Sequence, residues 1–379
     1  MRMAILSAAV LLCHAGKMPS ATAHTFVGLG DLPGGSFVSE AQNLSADGRF
    51  VTGRSVMAGM YTNEAFLWSA ETGMLGLGAP LGGDNSRGFA VSNDGNTVVG
   101  TFDHPSILYP QVFRWNRRGG ITWFNPFPVD ANDRPAHRNV RDMSADGNVV
   151  VGQYRNSLLA LVGYQWSNDD LTEVEFGFAS AVSADGSVVV GQAELPTTIL
   201  EAFRWTVEDE VNGLGFLSGG EMQSEAMGVS ANGQVIVGRS GSSIGTQAFR
   251  WTEEDGMVGL GGLSGGTFSI AEDANFNGSI IVGRAGSSTF FDPFIWDETH
   301  GMRNLESLLR DEYGLADVLA GWDLQVATAI SDNGRVIIGN GINPDGYVEA
   351  WRVELVPEPS SLALGALALA AFACRQRFR

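Results

Sequence analysis

An all-β fold built from repeated four-stranded units is predicted by three features of this sequence. One phrase, Val-Ser-Ala-Asp-Gly-Ser-Val-Val-Val-Gly at Val182–Gly191, recurs along the chain in units of about 45 residues. A second phrase, Ala202–Trp205, follows each copy, and a third, rich in Leu and Gly as at Gly73–Gly78, follows most copies. Four short strands in a unit of this length are typical of a propeller blade, so the sequence predicts a β-propeller.

The first phrase predicts a hairpin turn followed by a buried strand. Asp-Gly and Asn-Gly dipeptides between apolar runs are typical of type I′ turns, in which both central residues have positive φ. The Val and Ile run after each dipeptide is typical of a buried strand. Seven copies are present, and they close at Gly53, Gly100, Gly152, Gly191, Gly238, Gly283 and Gly339.

The second phrase predicts the next strand, with two aromatic side chains on one face because they lie two residues apart. Side chains of this size are expected to pack between neighbouring units. Six copies keep the pair, at Phe66 and Trp68, Phe113 and Trp115, Tyr164 and Trp166, Phe203 and Trp205, Phe249 and Trp251, and Phe294 and Trp296. In the seventh copy, Ala350–Val353, Trp351 takes the place of Phe.

The two ends of the array predict a closed ring. The last copy stops at Val353 without a Leu-Gly strand, whereas an unmatched strand, Phe26–Leu32, precedes the first copy. Pairing of Phe26–Leu32 with the strand around Tyr347–Val353 would complete the last blade and remove two exposed edges. The predicted fold of residues 24–356 is therefore a seven-bladed β-propeller closed by an N-terminal strand.

The N-terminal segment, residues 1–23, is predicted to be a secretory signal helix. It has a basic residue at Arg2, then an apolar stretch, then small residues before a cleavage site between Ala23 and His24. This order is the pattern of a signal peptide. A buried first strand or helix is the alternative interpretation.

The C-terminal segment, residues 357–379, is predicted to hold a transmembrane helix. Pro357, Glu358 and Pro359 form a short polar motif, Leu362–Ala373 is continuously apolar, and arginines end the chain. This order is typical of a membrane stop with the arginines on the cytoplasmic side. A core helix is the alternative interpretation.

The composition excludes several classes of function. The formal net charge is −19 and Lys17 is the only lysine, so the surface is expected to repel nucleic acid and anionic lipid. The two cysteines, Cys13 and Cys374, lie in the terminal segments, so no disulfide or thiol chemistry is expected in residues 24–356. No cofactor is predicted, and calcium binding by acidic side chains is left open.

Two stretches depart from the repeat. Residues 116–139 carry an aromatic, proline-rich run, Trp123–Pro128, which forms either a sugar-stacking surface or a loop packed over the end of the barrel. In residues 304–328, Asn304 is expected to cap a short helix. The apolar face of that helix would hold Leu305, Leu308 and Leu309.

The tail and the repeats each resemble a known family. Val356–Pro359, followed by the apolar segment and the arginines, is similar to a PEP-CTERM sorting signal. Such signals are processed by exosortase, a membrane protease-transpeptidase of Gram-negative bacteria that make exopolysaccharide. The Ala-Phe-Arg-Trp and Ser-Ala-Asp-Gly phrases resemble the HAF family of extracellular repeat proteins, and Gly321–Trp351 resembles the terminal repeat of such proteins. The altered copies at Asn275–Gly278 and Glu349–Trp351 depart from that pattern.

The resemblance implies the location and the partners of the chain. It implies passage through the secretion machinery, transient membrane anchoring through the C-terminal helix, and processing by exosortase. The product would be secreted or displayed on the outer surface of a Gram-negative bacterium, with exopolysaccharide as a possible partner. Neither family supplies a catalytic residue.

No catalytic, cofactor-binding or metal-ligating residue is predicted. A triad would need a histidine beside a repeated pair such as Ser183 and Asp185, and the turn itself explains that pair. The histidines after the signal peptide, which have no triad or metal-ligand spacing, are His24, His104, His137 and His300. The sequence therefore predicts a non-enzymatic structural or binding role. The alternative is a propeller glycan hydrolase or lyase with its site at the channel mouth under residues 116–139. Three or more unlike carboxylates at that mouth would favour the enzyme, and a ring of equivalent small or apolar side chains would favour the scaffold.

Overall fold

The structure is a computed structural model. It describes residues 24–56, 62–107, 109–125, 138–155, 160–167, 170–174, 177–195, 199–209, 211–264, 266–286 and 291–356. The predicted signal helix with Ala23, the apolar C-terminal helix, and Pro357, Glu358 and Pro359 lie outside these ranges. The chain divides into one compact unit of Thr25–Glu354 and a second unit of terminal residues. In that second unit, the Val356 amide donates a hydrogen bond to Nδ1 of His24 at 3.1 Å.

The Thr25–Glu354 unit is a series of antiparallel strands, which we group into repeat units 1 to 7. Strand β1 is Thr25–Gly28. Unit 1 is β2 (Ser39–Leu44), β3 (Phe50–Val56), β4 (Asn63–Ser69) and β5 (Gly73–Gly78), and unit 2 is β6 (Asp84–Val91), β7 (Thr97–Asp103), β8 (Gln111–Asn116) and β9 (Gly120–Trp123). Unit 3 is β10 (Arg138–Met143), β11 (Val149–Arg155), β12 (Leu161–Ser167) and β13 (Asp170–Val174), and unit 4 is β14 (Gly177–Val182), β15 (Val189–Leu195), β16 (Ile199–Trp205) and β17 (Asn212–Gly213).

The remaining units follow the same order. Unit 5 is β18 (Ser224–Val229), β19 (Ile236–Ser242), β20 (Gly245–Thr252) and β21 (Gly256–Gly259), and unit 6 is β22 (Phe268–Ala274), β23 (Ile280–Gly286), β24 (Phe291–Asp297) and β25 (Gly301–Asn304). A helix, α1 (Leu305–Asp311), precedes unit 7, which is β26 (Asp323–Ile330), β27 (Val336–Ile342) and β28 (Val348–Glu354). Units 5 and 6 share one sheet because a single parallel bridge joins Thr246 to Phe268.

The N-terminal strand completes the last unit. Thr25 lies opposite Glu354 and Gly28 lies opposite Trp351, so β1 pairs with β28 in antiparallel register. The Leu29 amide extends the pairing by donating to the Ala350 carbonyl at 2.8 Å. The predicted pairing of this strand is therefore confirmed, although β1 ends at Gly28 rather than at Leu32.

The hydrophobic core lies between units rather than within one sheet. Phe203 and Trp205 of unit 4 pack in one cluster with Val151 of unit 3, which confirms the prediction for the aromatic pairs. Phe66 of unit 1 packs in the same way with Ile338 of unit 7, so the last unit also shares a core with the first. The first aromatic of each pair is fully buried, whereas the Trp positions range from buried to half-buried.

Buried serines at the start of several first strands join neighbouring units. The Ser224 hydroxyl of unit 5 accepts a hydrogen bond from the Ala202 amide at 2.9 Å and donates to the Gly215 carbonyl at 2.8 Å, both beside unit 4. Ser86 bridges units 1 and 2 in the same manner. Each serine satisfies two backbone groups that the interface would otherwise leave unpaired.

The predicted short helix is present. Oδ1 of Asn304 accepts a hydrogen bond from the Ser307 amide at 2.8 Å, which is the expected N-cap contact. Leu305, Leu308 and Leu309 are buried along its inner face. The cap and the apolar face were both readable from the sequence, and both are confirmed.

Candidate binding site in the central channel

The repeated Ser and Asp side chains hold the turns together. In unit 4, the Ser183 hydroxyl donates to Oδ1 of Asp185 at 2.7 Å and accepts from the Val188 amide at 3.0 Å. The Asp185 carboxylate also accepts from the Ser187 amide at 3.0 Å. The hydrogen bond from Ser183 is the largest influence that lowers the pKa of Asp185. These contacts account for the polar side-chain atoms of the motif in unit 4.

The turn is not the predicted type I′. Gly186 has a φ of 78°, but Asp185 is not in the positive-φ region, and Asn85 is the only such non-glycine among the described residues. The Gly186 amide donates to the Ser183 carbonyl at 2.9 Å, which closes a four-residue turn that ends in a left-handed glycine. The Ser and Asp side chains bridge this wider turn, so the two-residue I′ geometry is not needed.

A ring of hydrogen bonds passes through all seven turns. The Ala145 amide donates to the Ala184 carbonyl at 3.0 Å, and the Ala184 amide donates to the Ala231 carbonyl at 3.1 Å. Asp332 of unit 7 donates to Ala46 of unit 1 at 2.8 Å, so the series returns to its start. The other links are Asn93 to Ala145, Asn232 to Phe276, Phe276 to Asp332, and the Asp47 amide to Oδ1 of Asn93.

Each first strand carries a β-bulge opposite the closing glycine of its unit. In β14 the register shifts between Ala179 and Ala181, and Gly191 of β15 lies opposite Ala179. A Cβ on Gly191 would overlap the carbonyl oxygen of Phe178, and the equivalent overlap exists in all seven units. Glycine is therefore required at the closing position because the bulge brings the two backbones together.

The seven bulged residues line a shared cavity and differ in chemistry. Each first strand contacts the first strands of both neighbouring units, so the seven strands enclose a central channel. The cavity at one end of this channel, the channel-mouth cavity, has a volume of about 290 Å³. All seven bulged residues line it: Gln42, Phe89, Arg141, Ser180, Met227, Glu272 and Thr328.

Two glutamates at the channel mouth have arginine partners in their own units. Nε and Nη2 of Arg239 donate to Oε2 of Glu225 at 2.8 and 2.6 Å. Nε of Arg284 lies 3.3 Å from Oε1 of Glu272. Burial raises the pKa of Glu272, and the charge of Arg284 opposes that shift. Both carboxylates are therefore compensated within the protein.

Arg141 has no such partner. No carboxylate of the described residues lies within ion-pair distance of its guanidinium, which is exposed to the solvent inside the channel. Its surroundings lower its pKa by desolvation, and the nearby charge of Glu225 opposes that shift. Arg141 is thus a cation that lines the cavity without an ion-pair partner among the described residues.

Asp142 and Asp273 form the floor of the channel-mouth cavity. Together with Asn43 they also line a second cavity, of about 100 Å³, further along the channel. Asp142 accepts hydrogen bonds from the Val182 amide at 3.0 Å and from Nδ2 of Asn43 at 3.3 Å. Burial raises the pKa of Asp142 to about 6 and that of Asp273 to about 7, against these hydrogen bonds.

The aromatic insertion packs onto the barrel in its described part. The ring of Trp123 stacks on His104 at 5.5 Å, and Phe124 meets Trp166 edge to face at 4.7 Å. The rest of the insertion, including Phe127 and His137, lies outside the described residues. Of the other histidines, His300 contacts Asp297 at the surface. The described part of the chain contains no group of residues suited to a metal ion.

Sequence analysis missed the channel residues because it compared the repeats for what they share. The bulged residue lies three positions before the turn serine in six copies, as Arg141 lies before Ser144, and three positions before Asn275 in unit 6. That position changes from copy to copy, whereas the residue before it is always small or apolar. A variable polar position inside an otherwise constant phrase was the available signal.

The comparisons identify the tail and the class of fold. Residues 355–377 match the PEP-CTERM protein-sorting motif, a range that includes Pro357, Glu358 and Pro359. This motif implies an exosortase substrate and a secreted or cell-surface protein of Gram-negative bacteria. Within the described ranges, no helix has the length and hydropathy needed to cross a bilayer. No curated protein matches the chain.

Solved structures with similar folds are distant in sequence. The β-propeller domain of the Trilobed protease from Pyrococcus furiosus has a TM-score of 0.56 and 8% identity, over 86% of this chain and 99% of that one. An oligogalacturonate lyase in complex with manganese has a TM-score of 0.55 and 13% identity, and the match covers 89% of this chain and 97% of that one. A second structure of an oligogalacturonate lyase, from Vibrio parahaemolyticus, has a TM-score of 0.53 and 10% identity, and the match covers 89% of this chain and 98% of that one. At these identities the similarity concerns the fold alone, and the fold of this chain is all-β and propeller-like.

Proposed function

We propose that this chain is a cell-surface binding protein of the extracellular polysaccharide matrix, released or displayed after exosortase processing. The PEP-CTERM motif at residues 355–377 is the observation that carries the location. The channel-mouth cavity, with seven unlike side chains on equivalent bulges, supports a binding role rather than a purely structural one. A scaffold alone would have no need for different residues at one repeated position.

The proposed architecture is a seven-bladed β-propeller of the HAF repeat type, closed by β1. Three observations support it: the seven-membered ring of turn hydrogen bonds, the shared core of units 7 and 1, and the β1–β28 pairing. The proposed mature chain runs from near His24 to near Pro357. Before processing, the apolar segment Leu362–Ala373 anchors the chain in the membrane.

A non-enzymatic role is proposed because the partners of each channel carboxylate account for its presence. Glu225 and Glu272 have arginine partners, and the floor carboxylates Asp142 and Asp273 each accept a backbone amide of a neighbouring unit. The alternative, a polysaccharide hydrolase or lyase, draws support from the convergence of these four carboxylates on one cavity. Release of reducing ends or of unsaturated products from the host's own polysaccharide would favour the enzyme.

Two measurements on protein purified from the native host test the proposal. Intact-mass analysis should give a chain that begins near His24 and lacks Arg375–Arg379. A chain that retains those arginines would indicate a plain tail anchor instead. A glycan array should then give binding to extracellular polysaccharide fragments, and an array without any bound glycan would contradict the binding role.

A further inference from the structure

We propose that the channel-mouth cavity binds a sugar ring that bears a carboxylate, with Arg141 as the receptor for the carboxylate. This inference deepens the proposed binding function and rests on it. It names a site, a ligand class and one specificity-determining residue. The chemical class is a uronic acid residue within, or at the end of, an oligosaccharide.

The glutamates of the cavity are neutralised by arginines other than Arg141. Glu225 and Glu272 are compensated by Arg239 and Arg284, so neither needs Arg141 as a counter-ion. Arg141 retains its guanidinium donors in a planar fork that matches a carboxylate in two parallel hydrogen bonds. A cation without an ion-pair partner in a confined cavity therefore favours an anionic group on the ligand.

The two carboxyl groups on the floor of the cavity have backbone partners of their own. Burial raises the pKa of Asp142 to about 6 and that of Asp273 to about 7, so at pH 7 Asp142 is mostly ionised and Asp273 is about half ionised. Both carboxyl groups are also committed to backbone amides, at 3.0 Å from Val182 and 2.9 Å from Ile330. The exposed anion-binding group of the cavity is thus Arg141.

The remaining lining matches the rest of a sugar ring. Phe89 and Phe178 offer apolar surface from units 2 and 4, and Met227 adds polarisable surface from unit 5. Gln42, Ser180 and Thr328 offer neutral donors and acceptors for hydroxyl groups. A sugar has apolar C–H faces and polar edges, so it can use both kinds of surface. The volume of about 290 Å³ is small for a ligand pocket and favours one or two rings over a long chain.

The test compares two sugars that differ at one carbon. Isothermal titration of the processed protein with glucuronic acid and with glucose separates the carboxylate from the ring. Sodium acetate, titrated alone, measures what the carboxylate contributes without the ring. We expect binding of glucuronic acid that is at least about tenfold tighter than that of glucose or acetate, because glucose lacks the charge-assisted hydrogen bonds of the carboxylate and acetate lacks the contacts of the ring.

Variants at Arg141 test the assignment of the receptor. Arg141→Gln should weaken glucuronic acid binding about tenfold or more and leave the weak glucose binding unchanged. Arg141→Lys keeps the charge but loses the fork, and should fall between wild type and Arg141→Gln. Arg49→Gln is the matched control, because it removes the same charge at an exposed turn outside the cavity.

The outcomes separate the inference from the function on which it rests. Equal affinity for glucose and glucuronic acid, or wild-type affinity in Arg141→Gln and Arg141→Lys, overturns the assignment while a glycan-binding role stands. Unfolding of Arg141→Gln leaves the decision to Arg141→Lys. Failure of both the sugars and the glycan array to bind overturns the proposed function together with this inference.

Discussion

Asp142 and Asp273 occupy the same place in two first strands, one residue after the bulge. Each carboxyl group accepts the amide of a neighbouring first strand, so each links two units across the channel floor. Burial opposes the charge that these hydrogen bonds favour, and burial dominates for both residues. The two side chains therefore make the stability of the fold depend on pH near neutrality.

The sign of that dependence gives a prediction for Asp273. Its pKa of about 7 lies above the ordinary value, so the folded state binds more protons than the unfolded state between about pH 4 and pH 7. The free energy of unfolding should therefore fall as the pH rises through this window. Asp273→Asn should remove this loss, on the order of 1–3 kcal/mol, and should gain relative to wild type between pH 4.5 and pH 8 in urea unfolding.

Asp94 provides the control for this measurement. Its hydrogen bond from Ser92 lowers the pKa of the carboxylate, so its contribution to stability is lost only as the pH falls through the depressed pKa. Asp94→Asn should therefore cost the same free energy at pH 4.5 and at pH 8. A flat difference between wild type and Asp273→Asn over this range would contradict the assigned protonation of Asp273.

The contacts of the turn residues could be predicted from the sequence, whereas the channel residue Arg141 could not. Ser183 and Asp185 were assigned to a turn because their spacing suits side chain to backbone hydrogen bonds, and the hydrogen bonds are present. The turn type was wrong because the dipeptide rule considers two residues and not the serine that precedes them. Arg141 was missed because nothing in a single copy of the repeat indicates a bulge.

At the scale of the element, the bulge and the closing glycine depend on each other. The glycine permits the close approach, and the bulge directs a side chain to the channel mouth. In each repeat, therefore, the pairing of the first two strands is the same, and only the bulged residue of the first strand can vary without disturbing that pairing. The Val run and aromatic pair of the repeat were predictable because burial between units imposes size and apolarity, whereas the varied position faces the channel and is under no such constraint.

Gly191→Ala tests this dependence. The new Cβ would overlap the Phe178 carbonyl oxygen, so one of the two backbones must shift at the bulge. We expect a loss of about 2–3 kcal/mol in the free energy of unfolding, measured in urea. Gly256→Ala is the control, since its φ is 68° but no atom lies within 4 Å of the new Cβ. Its cost should stay near 1 kcal/mol, and equal costs for the two variants would show that no close approach exists.

At the scale of the whole molecule, the stability of the ring depends on β1. Phe26 is 9% exposed and contacts Trp322 edge to face at 5.2 Å, with Trp351 at 6.1 Å. These contacts connect the N-terminal strand to the core of unit 7. The pairing of β1 with β28 could be predicted because the last repeat lacks one strand and the first repeat is preceded by one strand without a partner.

Phe26→Ala should therefore destabilise the whole ring. Truncation of a buried Phe costs about 3–5 kcal/mol, and urea unfolding should remain a single transition if the units unfold together. Val27 is the control, because it is on the same strand but is 40% exposed, so Val27→Ala should cost less than about 1 kcal/mol. Equal stability of Phe26→Ala and wild type would mean that β1 is not needed for closure.

Because Thr25 pairs with Glu354, the two ends of the folded unit lie side by side, and the fold does not require any particular repeat unit to come first in the chain. Adjacent strands lie roughly 5 Å apart, so a few residues could join these two ends into a covalent circle. Such a circle could be reopened at any of the seven turns without breaking a strand, which would give a family of circular permutants. Cyclisation itself removes conformations from the unfolded chain, and the circular form should consequently resist denaturation better than the linear one.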